Sequence, residues 1–147
     1  MPGSASRLLG KKVAFLFQEA LSSFHPFYTV EKQFHSLLKI HGHQSKKERV
    51  KLIENWMDYV NVPKEKIKEK PKSLSGGTLQ RINIAMGLSL NPDLIIADEC
   101  TTALDVTTQA QILDLFQNLI NKINTALFLI SHNLTIIEKF CDSVIQY

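Results

Sequence analysis

The sequence predicts an α/β fold in which a parallel sheet is interrupted by an inserted pair of helices. Three short apolar segments have the length of buried strands, and polar residues follow each of them: 13–17, 94–97 and 126–130. Segments with a helical spacing of apolar residues separate these strands. Because strands that alternate with helices are typical of βαβ units, we expect a parallel sheet covered on both faces.

The first strand is predicted at residues 13–17. Residues 1–6 are small and turn-forming, and we expect them to be a flexible leader outside the fold. The apolar run that follows two lysines ends at Gln18-Glu19. Gln18 is therefore expected at the exit of this strand.

Two helices and a connector are predicted between the first and second strands. Residues 29–40 carry apolar side chains at helical spacing. A second helix begins at Ser45, because Ser45 and Glu48 have the spacing of a capping box, and it runs to about Val60. The lysine-rich stretch 64–72 is expected to be an exposed connector.

The rest of the chain alternates between helices and strands. We predict helices at about 75–90, 106–122 and 134–141, around strands at 94–97 and 126–130. Asn91-Pro92 ends the first of these helices, because proline lacks the amide hydrogen that a helix interior needs.

Composition limits the class of protein. The 147 residues suffice for one domain, and a hydrophobic content of 44% can build a core. A net charge of +3, from 17 basic and 14 acidic side chains, is too balanced to indicate a nucleic-acid partner. The two cysteines are far apart and favour a reducing, cytoplasmic setting. No apolar run approaches the roughly 18 residues of a membrane span, so we expect no direct membrane insertion.

Polar side chains follow each predicted strand where the strand ends. Gln18 follows the first strand, Asp98 and Glu99 the second, and Ser131-His132 the third. Ligands gather beyond the carboxyl ends of parallel strands, so we expect one site there. Since side chains alternate in direction, one carboxylate can serve a magnesium ion while the next faces an attacking water. An Asp-Glu pair at a solvated strand end is the alternative.

A second candidate site is the start of the helix that follows Ser75. Ser75, Gly76 and Gly77 combine a serine N-cap with two glycines, which let a phosphate approach free amides at the positive end of the helix dipole. An ordinary serine-capped helix is the alternative. The order of the segments argues against coincidence: Gln18, Leu74-Ser75-Gly76-Gly77, Asp98-Glu99, Ala103-Leu104-Asp105 and Ser131-His132.

Together these segments resemble the ATP-binding subunit of ABC transporters, from about Leu8 to Tyr147. The resemblance implies a P-loop NTPase-type parallel sheet with an inserted helical subdomain. It divides 7–147, a partial ATPase domain, into a helical signature subdomain at about 29–90 and two portions of the catalytic core, 7–28 and 91–147. The segments 15–19, 28–30 and 97–107 are most similar to importers of dipeptides, oligopeptides and nickel.

The resemblance also implies roles at the strand ends. Residues 94–99 are similar to the Walker B strand, in which Asp98 would serve magnesium and Glu99 would act on water. His132 is similar to the switch histidine, which contacts the γ-phosphate. Gln18 is similar to the Q-loop glutamine, which senses the γ-phosphate, contributes to the magnesium site and faces the membrane partner. ATP and Mg²⁺ are the implied ligands.

The helix start and the loop after the second strand resemble the parts that act between subunits. Ser75, Gly76 and Gly77 are similar to the family signature, with Thr78 where glutamine is commonest. The signature binds the nucleotide held by a second ATP-binding subunit, in a homodimer or heterodimer. Asp105 is similar to the D-loop aspartate. The family works with transmembrane permease subunits, which implies a peripheral position on the inner face of the cell membrane.

The phosphate-binding loop of this family is missing from the sequence. Its pattern, Gly-x-x-x-x-Gly-Lys-Ser/Thr, should precede Gln18, yet no Gly-Lys-Ser/Thr occurs in the 147 residues. This loop holds the β- and γ-phosphates, so we expect the chain by itself to be inactive as an ATPase. The strand before the loop is also expected to be missing, which leaves an incomplete sheet with an exposed edge.

Some alternatives stay open on the sequence. The chain could belong to a soluble ABC-type ATPase of DNA repair or translation, or be a non-catalytic remnant that supplies only a signature face. Phe24, Phe27 and Tyr28, which follow Gln18, could either receive a segment of the permease or pack in the core.

Overall fold

The computed structural model describes residues 12–145, and the expected leader at 1–6 lies outside them. Within these residues, three strands form a parallel sheet in the order β1-β2-β3: β1 (Val13–Leu16), β2 (Leu94–Asp98) and β3 (Ala126–Ile130). The α-helices of this part of the chain are α1 (Val30–Ile40), α2 (Lys46–Tyr59), α3 (Gly76–Leu88), α4 (Val106–Ile123) and α5 (Leu134–Phe140). The predicted α/β class with a parallel sheet is confirmed.

One face of the sheet packs into the hydrophobic core. Side chains alternate along a strand, so that Leu16, Ile95 and Ala97 point to the same side, where all three are buried. Helix α3 covers this side, and a methyl group on its Gly87 would lie 3.5 Å from the side chain of Leu16. Helix α4 contacts α3 and shares the same core. Both helices therefore lie on one side of the sheet.

The opposite face of the sheet is largely open to solvent. Phe15 pairs in register with Ile96, and Ile96 with Phe128. Phe15 is 43% exposed and Phe128 is 48% exposed. The expectation of a sheet covered on both faces is therefore wrong for residues 12–145, because α3 and α4 both lie on the side of Leu16 and Ile95.

The inserted helices have the caps that fix their first turns. Helix α2 begins after Ser45, whose hydroxyl accepts a hydrogen bond from the amide of Glu48, as the capping-box spacing predicts. Thr29 caps α1 in the same way, through the amide of Lys32. In the described part of the chain, none of the helices combines the length and hydropathy required to cross a membrane.

The connector between α2 and α3 is more ordered than expected. It forms two 3-10 turns, Lys64–Lys68 and Pro71–Ser73, in which Ile67 and Pro71 are buried. The amide of Val30 donates to the carbonyl of Glu69 at 3.0 Å, which ties the connector to the start of α1. The lysine side chains lie on the outside, but the connector has apolar anchors that its high charge obscures in the sequence.

Candidate functional site

The parallel register brings Gln18, Glu99 and His132 to one edge of the sheet, where hydrogen bonds join them. Gln18 Nε2 donates to the hydroxyl of Thr102 at 3.3 Å, and this hydroxyl donates to the carbonyl oxygen of Glu99 at 3.0 Å. Glu99 Oε1 accepts from the amide of His132 at 3.2 Å and lies 2.6 Å from His132 Nδ1. The chain of contacts Gln18–Thr102–Glu99–His132 thus spans the ends of all three strands.

The backbone of Glu99 turns this side chain toward the third strand. Its amide donates to the carbonyl of Ile130 at 2.9 Å, and its φ of 49° lies in the left-handed region that non-glycine residues seldom adopt. A residue held there costs on the order of 1–3 kcal/mol and persists only where its surroundings fix it. The contacts with His132 and Ile130 supply that constraint.

Asp98, by contrast, lies on the open face of the sheet. It is the last residue of β2, and strand alternation places it on the same side as Ile96. Asp98 is exposed, whereas the side chain of Glu99 is only 21% exposed. The two adjacent carboxylates therefore face different surroundings, an arrangement that allows one of them to serve a metal and the other a water.

Thr102 was not identified from the sequence. It follows Glu99 by three residues and closes a turn in which its amide donates to the carbonyl of Glu99 at 3.2 Å. A hydroxyl residue three positions after the second acid is the only sequence signal for this role. The pairing with Gln18, 84 positions away, depends on the register of β1 against β2.

Ser75 caps α3, a helix of 13 residues. Its hydroxyl accepts from the amide of Thr78 at 3.2 Å and lies 2.8 Å from the Thr78 hydroxyl. The predicted serine N-cap is present, and Gly76 and Gly77 form the first turn. Free amides and the positive end of the helix dipole lie there, which suits a phosphate group.

The helix start at Ser75 also packs against the loop that holds Asp105. A methyl group on Gly76 would lie 3.3 Å from Leu104 Cδ2, and one on Gly77 would lie 2.8 Å from Thr108 Cγ2. Asp105 is the N-cap of α4. The Thr108 hydroxyl, followed by its amide, lowers the pKa of the Asp105 carboxyl below its ordinary value. Glycines at 76 and 77 thus allow two helix starts to meet.

A cavity of about 260 Å³ lies between the segment that follows β1, the start of α3 and the loop that follows β2. It is lined mainly by Gln18, Leu21, Leu74, Gln80, Cys100 and Leu104. Gln80 is 2% exposed, and among the described residues its Nε2 has no hydrogen-bond partner. Burial raises the pKa of the Cys100 thiol to about 11, which keeps it protonated at neutral pH.

The aromatic residues after Gln18 divide between the core and the surface. Phe24 is buried, and it belongs to the core cluster. Phe27 is 75% exposed, and Tyr28 is also exposed. The ring of His25 lies 4.6 Å from that of Tyr28, and Lys32 Nζ lies 3.9 Å from the Tyr28 ring centre. Core packing therefore accounts for Phe24 but not for the other two.

Comparison with known proteins identifies the family. Residues 3–102 match the family model described as ABC transporter. The chain is 43% identical, over 138 residues, to the metal-staphylopine import system ATP-binding protein CntD of Staphylococcus aureus, and this match covers 92% of the chain and 51% of that protein. It is 41% identical to the oligopeptide transport ATP-binding protein AppD of Bacillus subtilis, covering 95% of the chain and 43% of that protein. The chain thus spans about half the length of the curated relatives it matches.

Solved structures agree with this assignment. A dimeric ATP-binding cassette in a post-hydrolysis state, bound to ADP and Pi, superposes with a TM-score of 0.72 at 29% identity, covering 86% of this chain and 55% of that chain. A cassette from Clostridium perfringens that is part of an ABC transporter complex gives a TM-score of 0.78 at 20% identity, covering 90% and 51%, and shows the fold alone. The predicted fold class and the resemblance to importer ATP-binding subunits are confirmed, and the chain belongs to the ABC transporter family, corresponding to part of its ATP-binding subunit.

Proposed function

We propose that the chain supplies the water-activating and signature parts of an ATP-hydrolysing subunit in an ABC importer of peptides or metal complexes, including nickel. The observation that carries the proposal is the joined set Gln18, Thr102, Glu99 and His132 at the carboxyl ends of three parallel strands. The two relatives described above are named as import and transport ATP-binding proteins, which favours transport over a soluble ATPase of DNA repair or translation.

In this proposal Glu99 orients and deprotonates the attacking water. Its carboxylate is partly shielded and held by His132, so that it occupies one position instead of many. His132 is 74% exposed, and its ring can contact both Glu99 and an incoming γ-phosphate. Catalysis of phosphoryl transfer depends mainly on such positioning and on charge stabilisation.

The residues fit a magnesium ion bound with ATP. Asp98 offers an exposed carboxylate, and Gln18 directs its Nε2 to Thr102, so that its Oε1 carbonyl oxygen is the atom available to a metal. Oxygen ligands of this kind are those that Mg²⁺ prefers, together with water and phosphate. When bound, Mg²⁺ neutralises charge that develops on the phosphates. Asp98 and Gln18 would hold it beyond the carboxyl ends of β2 and β1.

Ser75, Gly76 and Gly77 are proposed to bind the nucleotide of a second ATP-binding subunit. The helix start they form has the geometry for a phosphate, and Asp105, the proposed D-loop residue, is joined to it through Thr108. This part corresponds to the helical signature subdomain proposed at about 29–90. The dimeric state of one structural neighbour supports an arrangement of two cassettes.

Transmembrane permease subunits are the second kind of partner in this proposal. Phe27 and Tyr28 lie exposed just after the Q-loop glutamine, Gln18, and large exposed aromatic groups of this kind are typical of interaction sites. Such a contact places the subunit at the inner face of the cell membrane, in the cytoplasm. We propose no nucleic-acid partner, since the charge of the chain is balanced.

The chain by itself is not expected to hydrolyse ATP. Its 147 residues contain no Gly-Lys-Ser/Thr sequence that could hold the β- and γ-phosphates. Turnover by the purified 147-residue polypeptide that disappears in Glu99→Gln would contradict this expectation. A complete cassette is therefore required to test the proposed chemistry.

A chimera provides that test. Residues 8–147 replace the matching segment of the oligopeptide transport ATP-binding protein of Bacillus subtilis, and oligopeptide uptake by cells lacking the original protein is measured. We expect uptake to be restored and Glu99→Gln to reduce it at least 100-fold, the range for loss of a general base. Glu54→Gln, an exposed carboxylate on α2, is the matched control and should leave uptake unchanged.

Failure of the chimera to support uptake, while it folds and joins the permease, would reject the importer function. Equal uptake by the chimera and its Glu99→Gln variant would reject the role of Glu99. Hydrolysis without any association with the permease would favour a soluble ATPase instead.

A further inference from the structure

One side chain on α1 fixes the loop that precedes this helix. We call residues 25–28 the aromatic loop. Gln33 Oε1 accepts a hydrogen bond from the amide of His25 at 2.8 Å. Gln33 Nε2 donates to the carbonyl of His25 and to the carbonyl of Tyr28, both at 3.0 Å. A glutamine amide has a carbonyl acceptor and two N–H donors, so Gln33 uses its acceptor and both donors on this loop.

The segments on either side of the aromatic loop are fixed in the core. Phe24, before the loop, and Val30, at the start of α1, are both buried. Gln33 lies in the second turn of α1, where its own amide donates to the carbonyl of Thr29 at 3.3 Å. The loop is thus held at both ends by buried residues and between them by Gln33.

The aromatic loop nevertheless holds its large side chains outside the core. Phe27 is 75% exposed and Tyr28 is 44% exposed. Among the described residues, neither of them belongs to the core cluster. The ring of His25 lies 5.9 Å from that of Phe27 and 4.6 Å from that of Tyr28. Burial of these side chains therefore does not explain why the backbone beneath them is fixed.

A fixed position for exposed aromatic groups is useful when a partner binds them. A loop that is already ordered avoids the entropy cost of ordering at the interface. When only a fraction of the molecules have the binding conformation, the apparent affinity falls by that fraction. Large aromatic side chains often carry much of the binding energy of an interface. A residue that keeps Phe27 in one position can therefore raise affinity without contacting the partner.

We propose that Gln33 is a positioning residue for the permease contact: it holds the aromatic loop in the conformation that presents Phe27 and Tyr28 to the permease. Its side chain is only partly exposed and is fully used by the loop, so that it acts through the loop. This inference rests on the proposed function for the identity of the partner, whereas the hydrogen bonds that fix the loop do not depend on it.

Permease binding by the chimera that contains residues 8–147 tests this role. Gln33→Leu provides an apolar side chain of similar size without the acceptor and the donors. We expect the Kd of the chimera for the permease to rise at least 10-fold, because three hydrogen bonds to the loop are lost. Gln33→Glu, which keeps an acceptor but places a second oxygen where the donor was, should act in the same direction.

Gln44→Leu is the matched control. Gln44 Nε2 also donates to a backbone carbonyl, that of Lys39, but at the other end of α1. This variant should leave the Kd unchanged. Equal Kd values for Gln33→Leu and the unaltered chimera overturn the proposal. Circular dichroism shows whether the variants fold, and if Gln33→Leu does not, Gln33→Glu decides.

A double-mutant cycle separates positioning from a general effect on structure. Phe27→Ala together with Tyr28→Ala removes the groups that Gln33 is proposed to position. In that background, Gln33→Leu should raise the Kd by no more than about twofold, because its effect passes through the two aromatic side chains. The same 10-fold rise in both backgrounds overturns the proposal.

Hydrogen exchange of the 147-residue chain tests the contact of Gln33 with the loop directly. Exchange at the His25 amide, whose acceptor is Gln33 Oε1, should be at least 10-fold faster in Gln33→Leu, as measured by NMR. The amide of Val30, which donates to Glu69, should keep its rate. An unchanged rate at His25 overturns the proposal, as does equal acceleration at both amides, which would mean that the start of α1 unfolds.

Failure of this inference and failure of the proposed function give different results. A chimera that binds the permease and transports equally well with Gln33→Leu contradicts the role of Gln33 and leaves the importer function intact. A folded chimera that does not bind the permease contradicts the proposed function and also the partner assigned to the aromatic loop.

Discussion

Gly77 lies so close to Thr108 that a methyl group on Gly77 would be 2.8 Å from Thr108 Cγ2. Thr108 is itself fixed, because its amide donates to Asp105 Oδ1 at 3.0 Å and its hydroxyl to Asp105 Oδ2 at 2.6 Å. The starts of α3 and α4 therefore interlock. Gly77 has a packing role in addition to its proposed contact with phosphate.

We expect Gly77→Ala to lower the free energy of unfolding by about 1–3 kcal/mol, the usual cost of overpacking. The added methyl group must displace Thr108, which cannot move without losing its hydrogen bonds to Asp105. Urea denaturation of the 147-residue chain measures the change. Adding Thr108→Ser removes Cγ2 but keeps the hydroxyl, so the double variant should recover most of the loss.

Gly76→Ala is the control for this prediction. Its methyl group would meet the end of the flexible Leu104 side chain at 3.3 Å, and alanine favours helix over glycine by roughly 1 kcal/mol. We expect Gly76→Ala to lower the free energy of unfolding less than Gly77→Ala does, or not at all. Equal losses at both positions, or no recovery with Thr108→Ser, would show that the contact with Thr108 is not the cause.

Thr102 is expected to position Gln18 in the proposed magnesium site. Thr102→Val keeps the shape of the side chain but removes the acceptor of Gln18 Nε2, a bond worth about 1 kcal/mol, or roughly fivefold. In the chimeric cassette, we expect the Mg²⁺ concentration for half-maximal ATPase activity to rise by about that factor. Thr102→Ser, which keeps the hydroxyl, should leave this Mg²⁺ concentration at its original value.

Thr107→Val, at an exposed position in the first turn of α4, controls for the loss of a threonine hydroxyl. An unchanged Mg²⁺ dependence in Thr102→Val would show that Thr102 acts only on the structure of the loop. A merely structural role would lower the denaturation midpoint without changing the Mg²⁺ dependence.

Local features of the fold could be predicted well from the sequence. The third strand was predicted at 126–130, and β3 is Ala126–Ile130. Ser45 and Ser75 both cap helices through the amide three residues later. Such features depend on neighbouring residues, whose spacing is visible in the sequence.

Features that depend on the packing of distant segments could not be predicted. The hydrogen bond from Gln18 to Thr102 joins residues 84 positions apart, and the approach of Gly77 to Thr108 depends on how two helices cross. The open sheet face was also missed. Apolar strand residues look alike whether a helix covers them or not, so the sequence could not show that Phe15 and Phe128 are exposed.

The stability of the chain is expected to depend on Asp105 at acid pH. Hydrogen bonds from Thr108 lower the pKa of this carboxyl in the folded state, so its charged form stabilises the fold above the unfolded pKa, about 4. That contribution is lost as the pH falls through the lower, folded pKa. Asparagine caps helices about as well as aspartate but does not ionise.

We therefore expect Asp105→Asn to lower the urea midpoint at pH 7, with a difference that narrows as the pH falls below about 4. Asp142→Asn, in the C-terminal segment after α5, is the control and should show no such convergence. A difference that stays constant from pH 7 to pH 3 would mean that the charge of Asp105 does not contribute.

Cys100 should resist alkylation in the folded protein, although it lies next to the proposed catalytic residue Glu99. It is 3% exposed, and burial raises the pKa of its thiol to about 11, so that only about 0.1% is thiolate at pH 8. Cys141 is only partly buried. With iodoacetamide at pH 8, mass spectrometry should show Cys141 modified at least 10-fold faster than Cys100, and urea should abolish the difference. Comparable rates in the folded protein would show that the Cys100 pocket opens readily, since burial is the main cause of its raised pKa.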